Sequence, residues 1–329
     1  MDVGFSTDYC AQARVNESLM SHPVSLAPET RPLAAASSML AAMAIIGVID
    51  AYIAQLAPYM GLWQFHAMRA TMALPLVVGL SLLGLGRLRP HRWWAVAARS
   101  GFITLAMLFY FSALAVLPIA QALAGLFTSP LFILLFSALM PGMRIGPWRI
   151  LAVGLGFAGI VLVLQPSAGN AGWSSLFPVA GGMFYAMGAL STRAWCADES
   201  PVALLAGVMG MLGLVGLLGL MFLAVWPVPP GTEGFVTRPR SWDVGPALPL
   251  VVLQAVGSVA GVFLVIRAYQ LGEPSYVSVF EYAVMVFGPL YALWAFGQTI
   301  GPWQVAGIGL IVLAGAVIAL RSRGDTLSS

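Results

Sequence analysis

The sequence predicts an all-α integral membrane protein, with ten transmembrane helices in two inverted five-helix repeats. Three observations carry that prediction. The 329 residues are 60% hydrophobic and only 8% charged, with a mean hydropathy of +0.91, whereas an ordinary soluble domain is about 25% charged. Apolar stretches of about 20 residues, the length needed to cross a hydrocarbon core of about 30 Å, recur between Leu33 and Leu320. A short motif, Ile-Gly-Pro-Trp, occurs at 145–148 and again at 300–303.

Residues 1–32 mix Ser, Pro, Ala and scattered charges without an apolar run, and read as a disordered cytoplasmic tail rather than a cleaved signal. Apolar spans follow at 34–56, 63–84, 93–116, 119–140, 148–165, 173–194, 203–225, 246–269, 274–297 and 302–320. The first five fall within one repeat, 33–165, and the last five within a second, 173–320; 321–329 is a closing cytoplasmic tail. Most connections are short. The stretch from Pro227 to Gly245, rich in Pro and Gly, reads as one longer polar loop.

The basic residues are all Arg, 15 of them, with no Lys in the chain. They fall largely on one set of alternating connections, from Arg14 and Arg31 through Arg87, Arg89 and Arg92 to Arg321 and Arg323. The opposite set takes Arg238 and Arg240. Because cytoplasmic loops retain positive charge, both termini are expected in the cytoplasm of a cell whose inner (plasma) membrane holds the chain, with an even number of spans.

The repeated motif sets the register of the two copies, and identity continues at Gly154/Gly309 and Leu155/Leu310. Upstream, Pro130 and Pro289 occupy comparable places if a gap of about four residues is allowed, and both are hinge candidates. Five spans per copy force the second copy into the bilayer upside down. Inverted repeats of this kind build secondary transporters, with a pocket between the halves that opens to either side by alternating access.

Helices 3 and 4 carry Arg99-Ser100-Gly101-Phe102, then the run from Phe111 to Ala122 that includes Leu117-Pro118-Ile119, then Ser129-Pro130-Leu131-Phe132. The second half adds Thr192-Arg193 through Glu199-Ser200, Ala268-Tyr269 and Phe280-Glu281-Tyr282. In this order the stretches resemble the drug/metabolite transporter superfamily, EamA type, from about Ile45 to Arg321. The second-half stretches, with Asp50 and Arg69, are similar to the branch that carries S-adenosylmethionine-like and riboflavin-like metabolites. The resemblance implies a permease that moves a small metabolite. The chain departs from the family at Met143 and Gln298, where an acid often follows Gly, and at Ala54 and Gln55, where a Lys is common after the acidic position of helix 1.

Ionisable side chains inside spans cost about 2.5 to 3.5 kcal/mol at a helix centre and so tend to face a bundle interior or water. Glu281, seven residues into helix 9 beside Tyr282, is the first candidate for a functional acid, able to pair with a cationic group of a solute or to hold a coupling proton. Its alternative is a structural Glu near the cytoplasmic end, neutral or paired with Arg. Asp50 and Arg69 lie at matched depth in helices 1 and 2, either as a fixed pair joining the helices or as groups facing the solute. Tyr269, Tyr282, Tyr110 and Trp294 could wall a pocket for a planar solute, and Gln121 could supply a polar contact. Packing, the interfacial belt and interhelical hydrogen bonds are the competing roles for each, as for Gln254 and Ser258.

Gly154-Leu155-Gly156-Phe157-Ala158-Gly159 matches the dinucleotide fingerprint, but it lies inside an apolar helix with no strand before it. Close helix packing explains it better, as it does Gly257 and Gly261. The three His and two Cys are scattered without metal-ligand spacing, and no phosphate-binding loop or nucleophile arrangement is present. No cofactor, metal or nucleic acid is therefore expected. The partners expected are an amphipathic or aromatic small molecule and membrane lipids, with the chain a monomer or homodimer. A non-transporting scaffold and an intramembrane enzyme are the rival classes.

Overall fold

Apolar residues without intervening charge satisfy their backbone groups internally in a bilayer, and the helix is the local way to do so. The computed structural model describes residues 31–114, 119–139, 146–164, 176–229, 234–297 and 299–325, and within them the chain is helical with no strand. In chain order the helices are α1 (Pro32–Asp50), α2 (Ile53–Leu56), α3 (Leu62–Leu82), α4 (Trp93–Leu114), α5 (Ile119–Leu126), α6 (Ser129–Leu139) and α7 (Pro147–Leu164). There follow α8 (Leu176–Ala194), α9 (Pro201–Val225), α10 (Leu248–Leu271), α11 (Pro274–Glu281), α12 (Val284–Phe296) and α13 (Pro302–Asp325). Seven helical stretches are long and apolar enough to cross a membrane.

The helices lie on the predicted apolar spans, but three of those spans are divided. The first breaks at Ala51–Tyr52, the fourth at Phe127–Thr128 and the ninth at Tyr282–Ala283. The starts of α4, α5, α6 and α7 (93, 119, 129, 147) and of α10, α11, α12 and α13 (248, 274, 284, 302) differ by a constant 155 residues. No gap is needed between 93–164 and 248–319. Pro130 and Pro289 are therefore not counterparts: Pro130 is the second residue of α6 and Pro289 the sixth of α12. The shared feature is the break itself. At the first, the Thr128 N–H donates to Gly125 and the Leu131 and Phe132 N–H groups to Thr128, at 3.1, 2.9 and 3.2 Å. At the second, Ala283 donates to Phe280 and Val286 and Phe287 to Ala283, at 3.1, 3.0 and 3.0 Å. Each bond is the other shifted by 155.

Packing pairs the helices of the two halves in the same order. Helix α1 packs on α10 as α8 packs on α4; α8 also packs on α5 and α6 as α1 does on α11 and α12; α3 packs on α9 and α7 on α13. Small residues let these backbones approach, because lipid supplies no hydrophobic drive for helices to associate. At the α7–α13 contact, a Cβ on Gly159 would stand 2.7 Å from the Gly307 carbonyl oxygen, and a Cβ on Gly307 2.5 Å from the Gly159 oxygen. The fingerprint-like glycines thus include a helix-packing position. Gly257 and Gly261 do the same work on α10, against Ile49 and Ile46 of α1.

The two ends of the bundle are tied differently. At one, the segment 234–247 docks on α3: Gln64 exchanges two hydrogen bonds of 2.7 and 2.8 Å with the Ser241 backbone, Trp63 donates to Val236 O (2.8 Å), and Arg238 donates to Ala57 O. At the other, the Glu199 carboxylate accepts the His91 and Arg92 N–H groups (2.9 and 2.5 Å) where α4 begins. Gln270 donates to the Cys196 and Glu199 carbonyls, Arg193 donates to the Gln270 carbonyl, and Arg149 pairs with Glu273.

Candidate functional site

Glu281 is the last residue of α11, immediately before the second break, and about 10 Å along that helix from its start at a rise of about 1.5 Å per residue. It is 3% exposed. A carboxyl so placed needs hydrogen-bond partners. Tyr269, from the last turns of α10, donates to its Oε1 at 2.7 Å, and Tyr185, from the middle of α8, donates to the same atom at 2.8 Å. No described residue bonds Oε2. Three helices of the second half therefore converge on one acid.

Tyr282 is fully buried and packs edge-on into α7, where Gly156 leaves room for the ring: a Cβ there would stand 2.2 Å from Cδ2. Its hydroxyl has no hydrogen-bond partner among the described residues. Across from it lies Phe127, with ring centroids 6.4 Å apart. Since 127 + 155 = 282, the two break residues are counterparts that meet each other, and the two broken helices approach at that point.

Arg99, on the second turn of α4, is 3% exposed and donates from Nε to Thr192 Oγ1 at 3.0 Å. Thr192 in turn donates to Gly188 O (2.8 Å). Tyr185, which donates to Glu281, also lies within electrostatic reach of Arg99. Arg99, Glu281 and Tyr269 are buried and Tyr185 is half-buried beside them.

Of the residues singled out from the sequence, Glu281, Tyr269 and Tyr282 are brought together here. Tyr110 lies with Ala113 and Ala122 and within electrostatic reach of Asp50. Asp50 ends α1 with its side chain exposed. Its influence on Arg69 is through space; the guanidinium touches His66 Nδ1 (3.1 Å), Ser258 Oγ (3.5 Å) and the Phe65 ring (4.9 Å to the centroid). Trp294 is 81% exposed and leans on Tyr291. The side chain of Gln121, and Met143 and Gln298, lie outside the described residues. Gln254 makes an interhelical bond to Ile49 O (2.5 Å).

Tyr185 and the Arg99–Thr192 contact were missed in the sequence. The signal available for Tyr185 was a polar tip in a helix face of small residues, Gly181, Gly182, Ala186 and Gly188; that for Arg99 was its place inside a span, as a cation in the family-like stretch Arg99-Ser100-Gly101-Phe102.

Comparison with known proteins bears on what such a site serves. The pattern of the EamA-like transporter family matches residues 33–165 and again 172–320. A riboflavin transporter of Rhizobium johnstonii is 27% identical over 242 residues, 73% of this chain and 74% of that protein. A riboflavin transporter of Vibrio cholerae is 25% identical over 201 residues, 61% of this chain and 62% of that protein. An aromatic amino acid exporter of Ancylobacter novellus is 42% identical over 66 residues, 20% of this chain and 23% of that protein. A solved crystal structure aligns with a TM-score of 0.71 at 21% identity, covering 90% of this chain and all of the other, and shares the fold. With most of its length matched in two copies, this multi-pass membrane protein belongs to the EamA-like transporter family of the drug/metabolite transporter superfamily.

Proposed function

We propose that the chain is a secondary transporter that carries a planar aromatic metabolite of the flavin type across the inner membrane by alternating access, with Glu281 as the group that loads a coupling proton. The observation that carries this reading is the buried carboxyl at a helix break, held by two tyrosine hydroxyls that approach from separate helices. An intramembrane acid in such a setting is costly unless it does work. Breaks in helices near the bilayer midplane are where transporters bind their solutes.

The architecture in this reading is ten spans in two inverted repeats, 33–165 and 173–320, with both termini cytoplasmic. The constant offset of 155 and the matched helix pairings support it. So do the α7–α13 contacts: a Cβ on Gly159 meets Gly307 and Ile311 while one on Gly307 meets Gly159 and Val163, the reversed register of antiparallel helices. The end that bears Glu199, Gln270 and the Arg149–Glu273 pair faces the cytoplasm, as its density of Arg suggests. The names of the two relatives matched over most of their length support a flavin, and the aromatic walls of Tyr269 and Tyr282 suit a planar ring.

Uptake of radiolabelled riboflavin into liposomes containing only this protein tests the proposal. Saturable uptake that accelerates with an imposed proton gradient is expected. Absence of flux under any gradient would return the chain to a scaffold role, and flux indifferent to Glu281→Gln at every pH would remove the proton from the mechanism.

A further inference from the structure

Arg99 and Gln254 are counterparts at the 155-residue offset, and both are buried, at 3% and 1% exposure. The two slots are satisfied differently. Gln254 spends its amide on the Ile49 carbonyl at 2.5 Å and is neutral. Arg99 brings a positive charge to the same place and meets a hydroxyl, through Nε alone, while Nη1 has no hydrogen-bond partner among the described residues. Thr192 is already committed, accepting from Arg99 and donating to Gly188. No carboxylate of the described residues pairs with Arg99, and the nearby Cys196 thiol, which burial pushes up to about 11, stays uncharged at neutral pH. The fold thus tolerates an uncharged side chain in this slot, yet the first copy holds a guanidinium with a donor to spare. A buried charge with an unused N–H carries a penalty that an incoming acceptor can remove.

We infer that Arg99 is a substrate-binding residue whose free Nη1 donates to a ring carbonyl oxygen of the planar solute. This rests on the carrier reading above and adds to it the recognition group: an oxygen acceptor conjugated to an aromatic ring. The guanidinium suits that acceptor because its donors are fixed in a plane and can lie in the plane of the ring. Tyr185 bonds Glu281 and lies within electrostatic reach of Arg99, so in this arrangement a ring beside it meets Arg99 at one edge and the carboxyl at the other.

The experiment is calorimetric titration of the purified wild type, Arg99→Gln and Arg99→Lys with riboflavin, 2-thioriboflavin and 4-thioriboflavin, in which sulfur replaces one ring carbonyl oxygen. Melting of each unliganded protein is measured alongside. Wild type is expected to prefer riboflavin to one thio analogue by several-fold. Arg99→Gln should weaken riboflavin by about tenfold or more, the usual size of a charge-assisted hydrogen bond, and abolish that preference, with the unliganded melting point kept. Arg99→Lys retains the charge without the fork and should lose the preference too, and it serves if the Gln variant does not fold. Unchanged riboflavin affinity in these variants overturns the assignment while leaving the carrier reading intact. Equal weakening of all three ligands together with a lowered melting point also overturns it, in favour of a structural arginine. Wild type that binds none of the three flavins overturns this assignment and the flavin reading together.

Discussion

The helix breaks in the fourth and ninth spans share a backbone turn and differ in chemistry. Leu126-Phe127-Thr128 and Glu281-Tyr282-Ala283 occupy counterpart positions, with three hydrogen bonds that superimpose at a shift of 155 residues. In the first copy the break consumes its own polar group: the Thr128 hydroxyl donates to the Gly125 carbonyl at 2.6 Å, and Leu126 offers nothing. In the second, Ala283 has no hydroxyl, and the preceding acid draws tyrosines from two other helices. The break is thus a property of the repeated scaffold, whereas the acid is particular to one copy. Two copies that are equivalent in shape need not share the work.

The strongest way to break that comparison is to give the second copy the first copy's residue. Glu281→Leu should fold, since Leu126 occupies the twin position, yet lower solute uptake into liposomes by about tenfold or more, the cost of losing charge-assisted hydrogen bonds. An uptake rate within twofold of wild type would mean that the two breaks are functionally alike. Next comes Gly156→Ala, which sets a methyl 2.2 Å from the Tyr282 ring and should destabilise the protein by about 1–3 kcal/mol. Gly154→Ala, with nothing within 4 Å of its Cβ, is the matched control and should leave the melting point alone. Equal melting shifts for the two would show that the ring is not held there. Tyr185→Phe removes one of two donors to Glu281 and should cost about 1 kcal/mol of transition-state or binding free energy, read as a several-fold fall in uptake. The smallest effect belongs to Trp294→Phe on the outer surface: stability within about 0.5 kcal/mol of wild type and unchanged uptake. A large loss there would put the pocket elsewhere.

Much of this was legible in the sequence because hydropathy reports the solvent of each residue. The apolar spans, the repeat announced by Ile-Gly-Pro-Trp and the one acid beside a tyrosine in the ninth span could all be read that way. The break at Phe127–Thr128 could not, since the run from Ile119 to Leu139 carries no charge and Pro130 pointed to the wrong counterpart, Pro289. Tyr185 was invisible for a different reason. Its role depends on α8 facing α11 across nearly a hundred residues of chain, and a periodic pattern says which face of a helix is buried without saying against what. Arg99 had a plain electrostatic signal, a cation inside a span, but nothing in the sequence said that Thr192 would be its partner.

Both tyrosine hydroxyls arrive at the same oxygen of Glu281, and this has a consequence for how the acid can change state. A proton loaded by that carboxyl has Oε2 for its seat, because Oε1 already receives two. The loaded and empty forms can then share one set of heavy-atom positions, with no side chain turning and no hydrogen bond exchanged. In the proposed carrier such a group would be a socket already wired on one side, leaving the free energy of each proton event for the solute and the helices rather than for rearranging the site that holds it.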